Sequence, residues 1–218
     1  MAHSKFLRAF GKTWMKPLTL AALIAPFAYL AVLWTLMLSG VAPYAMGFNP
    51  VKWTHHYLGD TALRILLVTL AISPVRDITG WAPIVLIRRR IGLAAFFYAA
   101  LHLIAYFGLN LNWSVPALME DIAKRTYITL GIIALAAMIP LAITSTNGMI
   151  RRMGRKAWER LHWLIYPLAI LAVAHDILMQ KTLFQIQPMT HAAILAVLLL
   201  WRVARFVIGK LKPAPATA

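Results

Sequence analysis

The sequence predicts an all-α integral membrane protein, a single six-transmembrane-helix bundle with both termini in the cytoplasm. Three observations predict it. Of 218 residues, 61% are hydrophobic and only 13% charged, about half the charged share of a soluble domain. A water-soluble fold of this length has too small a core to hide that much apolar surface. Six apolar segments each approach the roughly 20 helical residues needed to cross a hydrocarbon core. Laid across a bilayer, those segments sort the basic residues almost entirely to one side.

The elements follow in order. Span 1, residues 17–40, comes after Lys5, Arg8, Lys12 and Lys16. Its apolar run is too long for the core of a cleavable signal, which takes about 7–15 residues, so it reads as a retained helix. Span 2, residues 57–75, carries Arg64 and stops near Ser73-Pro74. Span 3, residues 91–109, begins after Arg88, Arg89 and Arg90 and carries His102. Span 4, residues 127–144, ends at Thr144. Span 5, residues 160–178, carries His162, Pro167, His175 and Asp176, and span 6 covers residues 190–208. The connections are polar or contain Pro and Gly, and none is long enough to be a domain. The whole chain therefore reads as one domain, with residues 212–218 as a disordered tail.

The formal charge of +16 would suggest nucleic acid in a soluble protein. Here it resolves into an orientation. Lys5, Arg8, Lys12, Lys16, Arg76, Arg88, Arg89, Arg90, Arg151, Arg152, Arg155, Lys156, Arg160, Arg202, Arg205, Lys210 and Lys212 share one side, seventeen in all, against Lys52, Lys124, Arg125 and Lys181 on the other. The positive-inside rule makes the first side cytoplasmic. These loops need no nucleic acid to explain them, and membrane lipid headgroups are their natural counter-charge. The absence of cysteine excludes disulfides, thiolate-bound iron–sulfur clusters, covalent c-type haem and cysteine nucleophiles.

Ionisable groups inside a membrane are expensive and mark function. At 1.5 Å per residue, His102 lies about 18 Å along span 3 from the cytoplasmic side, and His175 about 19.5 Å beyond His162 on span 5. His102 and His175 thus share a depth on two helices that run the same way. Two neutral imidazoles facing each other across a helix bundle are how a b-type haem is held axially. The competing reading is that each histidine is a helix–helix hydrogen-bond partner. His162 lies near the cytoplasmic surface. Thirteen residues separate it from His175, which puts the two roughly 140° apart on an ideal helix, and Pro167 between them should kink the span. Arg64 has three readings: an ion pair with Asp60 one turn earlier, a side chain that snorkels outward, or a partner for a haem propionate. His55 and His56 read as interfacial, and Asp176 as hydrated near the outer surface.

Several strings then matter together: His56-Tyr57-Leu58-Gly59-Asp60-Thr61-Ala62-Leu63, Ile87-Arg88-Arg89-Arg90-Ile91-Gly92-Leu93, Leu101-His102-Leu103 with Tyr106, Tyr127-Ile128-Thr129-Leu130-Gly131, Thr144-Ser145-Thr146-Asn147, and Leu161-His162-Trp163-Leu164-Ile165-Tyr166. In this order and spacing the chain resembles the MsrQ (formerly YedZ) family of ferric-reductase-like transmembrane domains. The resemblance implies a haem b and FMN electron-transfer subunit in the bacterial inner membrane. It would take electrons from a cytoplasmic flavin reductase or quinol and deliver them to a periplasmic molybdopterin methionine-sulfoxide reductase, MsrP, for repair of oxidised periplasmic proteins. The family's haem histidines match His102, His162 and His175. The wider superfamily holds two stacked haems with two histidines on each of two helices. Here span 3 has one histidine, and its inner counterpart falls near Arg88 or Arg89. His102 and His175 are therefore the expected axial ligands of one haem, and His162 a ligand to a second haem or an accessory contact. FMN phosphate contacts are expected from Thr144, Ser145, Asn147, Arg151 and Arg152. No Gly-rich dinucleotide fingerprint is present, so electrons must come from a separate donor. The rivals are a stand-alone ferric or quinone reductase using the same haem, and a haem-free transporter or scaffold whose histidines relay protons or pack.

Overall fold

A computed structural model of the chain describes residues 13–180 and 185–211, with side chains to residue 209. Lys5, Arg8, Lys12, Lys181, Lys212 and the expected tail 212–218 lie outside the described residues. The described residues form α1 (Met15–Leu38), α2 (Pro50–Thr79), a 3-10 turn (Ala82–Ile84) leading into α3 (Val85–Ala105), a π-turn (Tyr106–Asn110), α4 (Val115–Lys124), α5 (Thr126–Ile143), α6 (Asn147–Met153), α7 (Arg155–His162), α8 (Ile165–Met179) and α9 (Ile186–Leu211). Among them, six stretches are long and apolar enough to cross a membrane: α1, α2, Ala82–Asn110, α5, Arg155–Met179 and Ile186–Gly209.

Local chemistry sets the ends. The Asn49 side chain accepts from the Lys52 amide at 2.8 Å, and Pro50 opens α2, so the helix starts seven residues before its expected position. It ends where Gly80 takes φ 67° and its amide closes onto the Arg76 carbonyl at 2.8 Å. α4 and α6 fall where only connections were expected. Each follows a hydroxyl cap: Ser114 Oγ accepts from Ala117 N, and Thr146 Oγ1 from Met149 N. Both are too short to register as spans.

The fifth span is broken rather than smoothly bent. α7 stops at His162 and α8 begins at Ile165, with tight turns at Leu164 N to Leu161 O and Tyr166 N to Trp163 O. Pro167 has no N–H for the Trp163 carbonyl, and its ring crowds that carbonyl, so the break sits one turn before the proline.

Packing follows from which faces are apolar to each other rather than to water. Leu66, Leu67 and Leu70 of α2, Ala95 of α3, Met138 of α5, Leu168 and Ala169 of α8 and Leu195 of α9 form one buried core. α1 is held separately. Tyr98 of α3 is almost fully buried; its hydroxyl donates to the Leu23 carbonyl at 2.6 Å and accepts from the Phe27 amide at 3.0 Å. Tyr57 donates to the Pro26 carbonyl at 3.0 Å. Two tyrosines thus satisfy backbone groups that Pro26 disturbs, as a helix in lipid requires. The outward faces are apolar, with Leu18, Ile24, Val32, Val197, Leu200 and Val203 all more than half exposed. Such a surface suits hydrocarbon and not water.

Candidate cofactor site

α2, α3, α5 and α8 enclose a cavity of about 280 Å³, close to the small end of ligand pockets. Its walls are mainly apolar, including Leu63, Leu66, Ala95 and Met138. His102 enters from α3 and His175 from α8. The two ring centres are 6.1 Å apart with planes at 81°. The His102 Nδ1–H donates to the His55 carbonyl at 3.0 Å and the His175 Nδ1–H to the Tyr127 carbonyl at 2.6 Å. A carbonyl can only accept, so both Nδ1 atoms carry the proton and each Nε2 keeps its lone pair. This is the arrangement that orients a metal-binding imidazole.

Room for the two rings comes from two glycines. A Cβ on Gly59 of α2 would lie 3.2 Å from His102 Cε1 and Nδ1, and one on Gly131 of α5 would lie 2.9 Å from His175 Nδ1. Any larger residue at either place would push a histidine out of position.

The donor set fits a haem. Two imidazole nitrogens at about 2 Å on opposite sides of one metal place their ring centres roughly 6 Å apart. No group of three or more His, Cys, Asp or Glu residues able to hold a metal ion occurs among the described residues. Two ligands without a third suit a metal whose remaining positions are filled by its own macrocycle. The cavity is rimmed at one end by Lys52 and Arg125, which the sequence had marked only as charges of the minority side. Arg125 Nε pairs with Asp121 at 3.0 Å, and Asp121 also accepts from the Tyr106 hydroxyl.

Other expected site residues lie apart. His162 is at the opposite end of the bundle and does not line the cavity. Its Nδ1–H donates to the Trp158 carbonyl at 3.0 Å, its ring stacks on Trp158 at 3.8 Å, and its Nε2 is buried without a partner. The neighbouring charge is Arg88. Arg64 is not on the cavity wall: its side chain is 59% exposed and lies 3.7 Å from Asp60. Of the residues expected around a flavin phosphate, Arg151 and Arg152 line an open depression with Thr146, Gly148 and Met149. Thr144 and Ser145 instead donate to the carbonyls of Pro140 and Leu141, both at 2.6 Å, and Asn147 accepts from Arg89 at 2.6 Å.

Two features escaped the sequence. Asp176, expected to be hydrated, is buried, and its carboxylate accepts from His191 Nδ1 at 2.8 Å. An acid and a histidine within apolar stretches of adjacent spans was the available signal. His55, expected at the interface, is buried on the cavity wall with Nε2 unpartnered, its ring 6.3 Å from that of His102.

Comparison with known proteins agrees with this architecture. Residues 58–173 match the family model described as ferric reductase like transmembrane component. The chain is 48% identical over 189 residues to the protein-methionine-sulfoxide reductase heme-binding subunit MsrQ of Xanthomonas axonopodis pv. citri, covering 86% of this chain and 85% of that one. It is 45% identical to the protein of that name from Xanthomonas euvesicatoria pv. vesicatoria, over 93% and 94% of the two chains. With the Brucella ovis protein of that name it shares 41% over 85% and 82%. Six apolar helices, four of them enclosing a part-buried histidine pair, matched along most of the chain by these relatives, place it in the MsrQ family of ferric-reductase-like membrane proteins.

Proposed function

We propose that the chain is the haem-binding electron-transfer subunit of a methionine-sulfoxide reductase system in a bacterial inner membrane. It would take electrons from a cytoplasmic flavin reductase or quinol and deliver them to a periplasmic molybdopterin reductase of the MsrP kind. The single observation that carries the reading is the His102–His175 pair, with centres 6.1 Å apart and both Nδ1 atoms committed to carbonyls. A b-type haem supplies an iron that stores one electron at a time. The residues supply the rest. His102 and His175 would hold the iron from α3 and α8. The His55 and Tyr127 carbonyls keep both rings in the ligating tautomer. The leucine and alanine walls exclude water, and Lys52 and Arg125 would offer positive charge to the group's carboxylates.

The positive-inside asymmetry supports an orientation with Arg88 and His162 toward the cytoplasm and Lys52 and Arg125 toward the periplasm. His162 would then serve the cytoplasmic end, as ligand to a second haem or as an accessory contact. FMN would sit on the same side, its phosphate toward Arg151 and Arg152. Reconstitution tests the reading. In membranes containing the chain and haem, reduction of a molybdopterin methionine-sulfoxide reductase should require both the chain and a cytoplasmic-side donor. Turnover of ferric iron or quinone at the same rate without that partner would favour a stand-alone reductase. A preparation colourless despite full haem supply would end both readings.

A further inference from the structure

The end of the bundle where α2 stops and α3 starts holds an unbalanced charge cluster. Among the described residues it carries two carboxylates, Asp77 and Glu159, and Glu159 is taken by Arg155 at 2.8 Å. Asp77 alone serves Arg76, at 2.7 Å, and Arg205, at 3.8 Å. Arg202 is within electrostatic reach of Asp77 but makes no ion pair with it; it donates to Ser73 Oγ at 3.2 Å and lies 5.2 Å above the Tyr166 ring. Arg88 is half-buried, forms no ion pair with a described residue, and lies within electrostatic reach of Arg202, Tyr166 and Arg76. Four guanidinium groups from α2, α3 and α9 thus share one acid.

Two independent features show what would complete the cluster. The indole N–H groups of Trp81 and Trp201 are buried without partners; Trp201 precedes Arg202, and Trp81 lies between Arg76 and Arg88 in the chain. Four cations to one acid, with unpartnered donors on the same stretches of chain, call for an oxygen-rich anion. The surface next to the cluster is apolar and exposed, with Ile78, Val203 and Ile208 each at least half accessible, so the anion should carry a hydrocarbon body.

We propose that Arg76, Arg88, Arg202 and Arg205 form a site for the phosphate of an anionic phospholipid, wedged between α2, α3 and α9. Basic pockets between membrane helices bind such headgroups, and guanidinium groups match phosphate oxygens in pairs. The bound lipid would tie α9 to the α2–α3 hairpin. It requires nothing of the histidine pair.

The test uses delipidated full-length holoprotein, with lipid binding read by native mass spectrometry and thermal unfolding. Phosphatidylglycerol, phosphatidylcholine and inorganic phosphate are the probes. Phosphatidylglycerol should bind and stabilise, and phosphatidylcholine should not. Each arginine near an anionic headgroup contributes about a fivefold change in affinity. The double variant Arg88→Gln/Arg202→Gln should therefore lose on the order of 25-fold, Arg202→Lys should lose far less, and exposed Arg90→Gln should match wild type. The haem held between His102 and His175 should stay unchanged throughout, separating this outcome from any failure of the cofactor reading. Equal binding of phosphatidylcholine would overturn the proposal. So would unchanged phosphatidylglycerol affinity in the double variant, or equal stabilisation by inorganic phosphate, which marks a free-anion site.

Discussion

The histidines at the two ends of the bundle present the same donor atom in different settings. His102, His175 and His162 each give their Nδ1–H to a backbone carbonyl. For His102 and His175 that carbonyl belongs to another helix, 47 or 48 residues away in the chain, and a glycine on α2 or α5 leaves space for the ring. For His162 the carbonyl is one turn back in its own helix, and the ring is covered by Trp158. The first setting needs four helices in register. The second needs one helical turn and a tryptophan. The cavity is at the end where tertiary structure, not local structure, holds the imidazoles, and the preorganisation of a metal site depends on that support.

Substitutions can widen or erase this contrast. The largest effect on stability should come from the buried pair behind His175. Asp176→Ala leaves His191 Nδ1 without its acceptor inside the bundle, and should lower stability by about 1–3 kcal/mol, with a parallel fall in bound haem. Thermal unfolding monitored by circular dichroism and by haem absorbance checks it; unchanged unfolding would mean the pair is hydrated in the membrane. Gly131→Ala comes next. The new Cβ, 2.9 Å from His175 Nδ1, forces a ring against the Tyr127 carbonyl, an overpacking of about 1–2 kcal/mol. Gly59→Ala, at 3.2 Å from His102, should do less, and the ranking is read from haem retention during gel filtration. At the other end, Trp158→Phe keeps the stack on His162 and loses one hydrogen bond, from Nε1 to the Thr144 carbonyl at 3.0 Å. It should lower stability by about 1 kcal/mol and leave the His102–His175 spectrum untouched. Arg64→Ala should be smallest, since its pair with Asp60 is exposed and worth about 0.2–1 kcal/mol. A clear loss of haem in that variant would restore Arg64 as a propionate partner.

How far the sequence could be read depends on the range of the interaction. Hydropathy sums over some 20 residues, so all six spans were visible. Counting 1.5 Å per residue was enough to match His102 with His175. Shorter signals were lost. α4 and α6 depend on single hydroxyl caps, Ser114 and Thr146, in stretches rich in turn formers. The start of α2 depends on Asn49, eight residues before the apolar run that begins at residue 57. The burial of His55 and Asp176 was hidden for a different reason: the groups that cover them, Tyr106 and His191, come from other helices. The placement of Lys52 and Arg125 on the cavity rim also required the fold, because nothing in their own neighbourhood distinguishes them from ordinary loop charges. Arg64 shows the converse. An Asp60 one turn away explained it from sequence, and that local reading matches its geometry.

The central claim is that His102 and His175 together hold one haem from two helices, at the end of the bundle away from His162. It is tested most directly by haem-to-protein ratio and Soret absorbance in three purified single variants. His102→Ala and His175→Ala should each remove the haem held between them, with the same residual spectrum in both cases. His162→Ala should retain that haem with its Soret maximum and reduced spectrum unchanged. An intact Soret band in both His102→Ala and His175→Ala, or its loss in His162→Ala alone, would contradict the account.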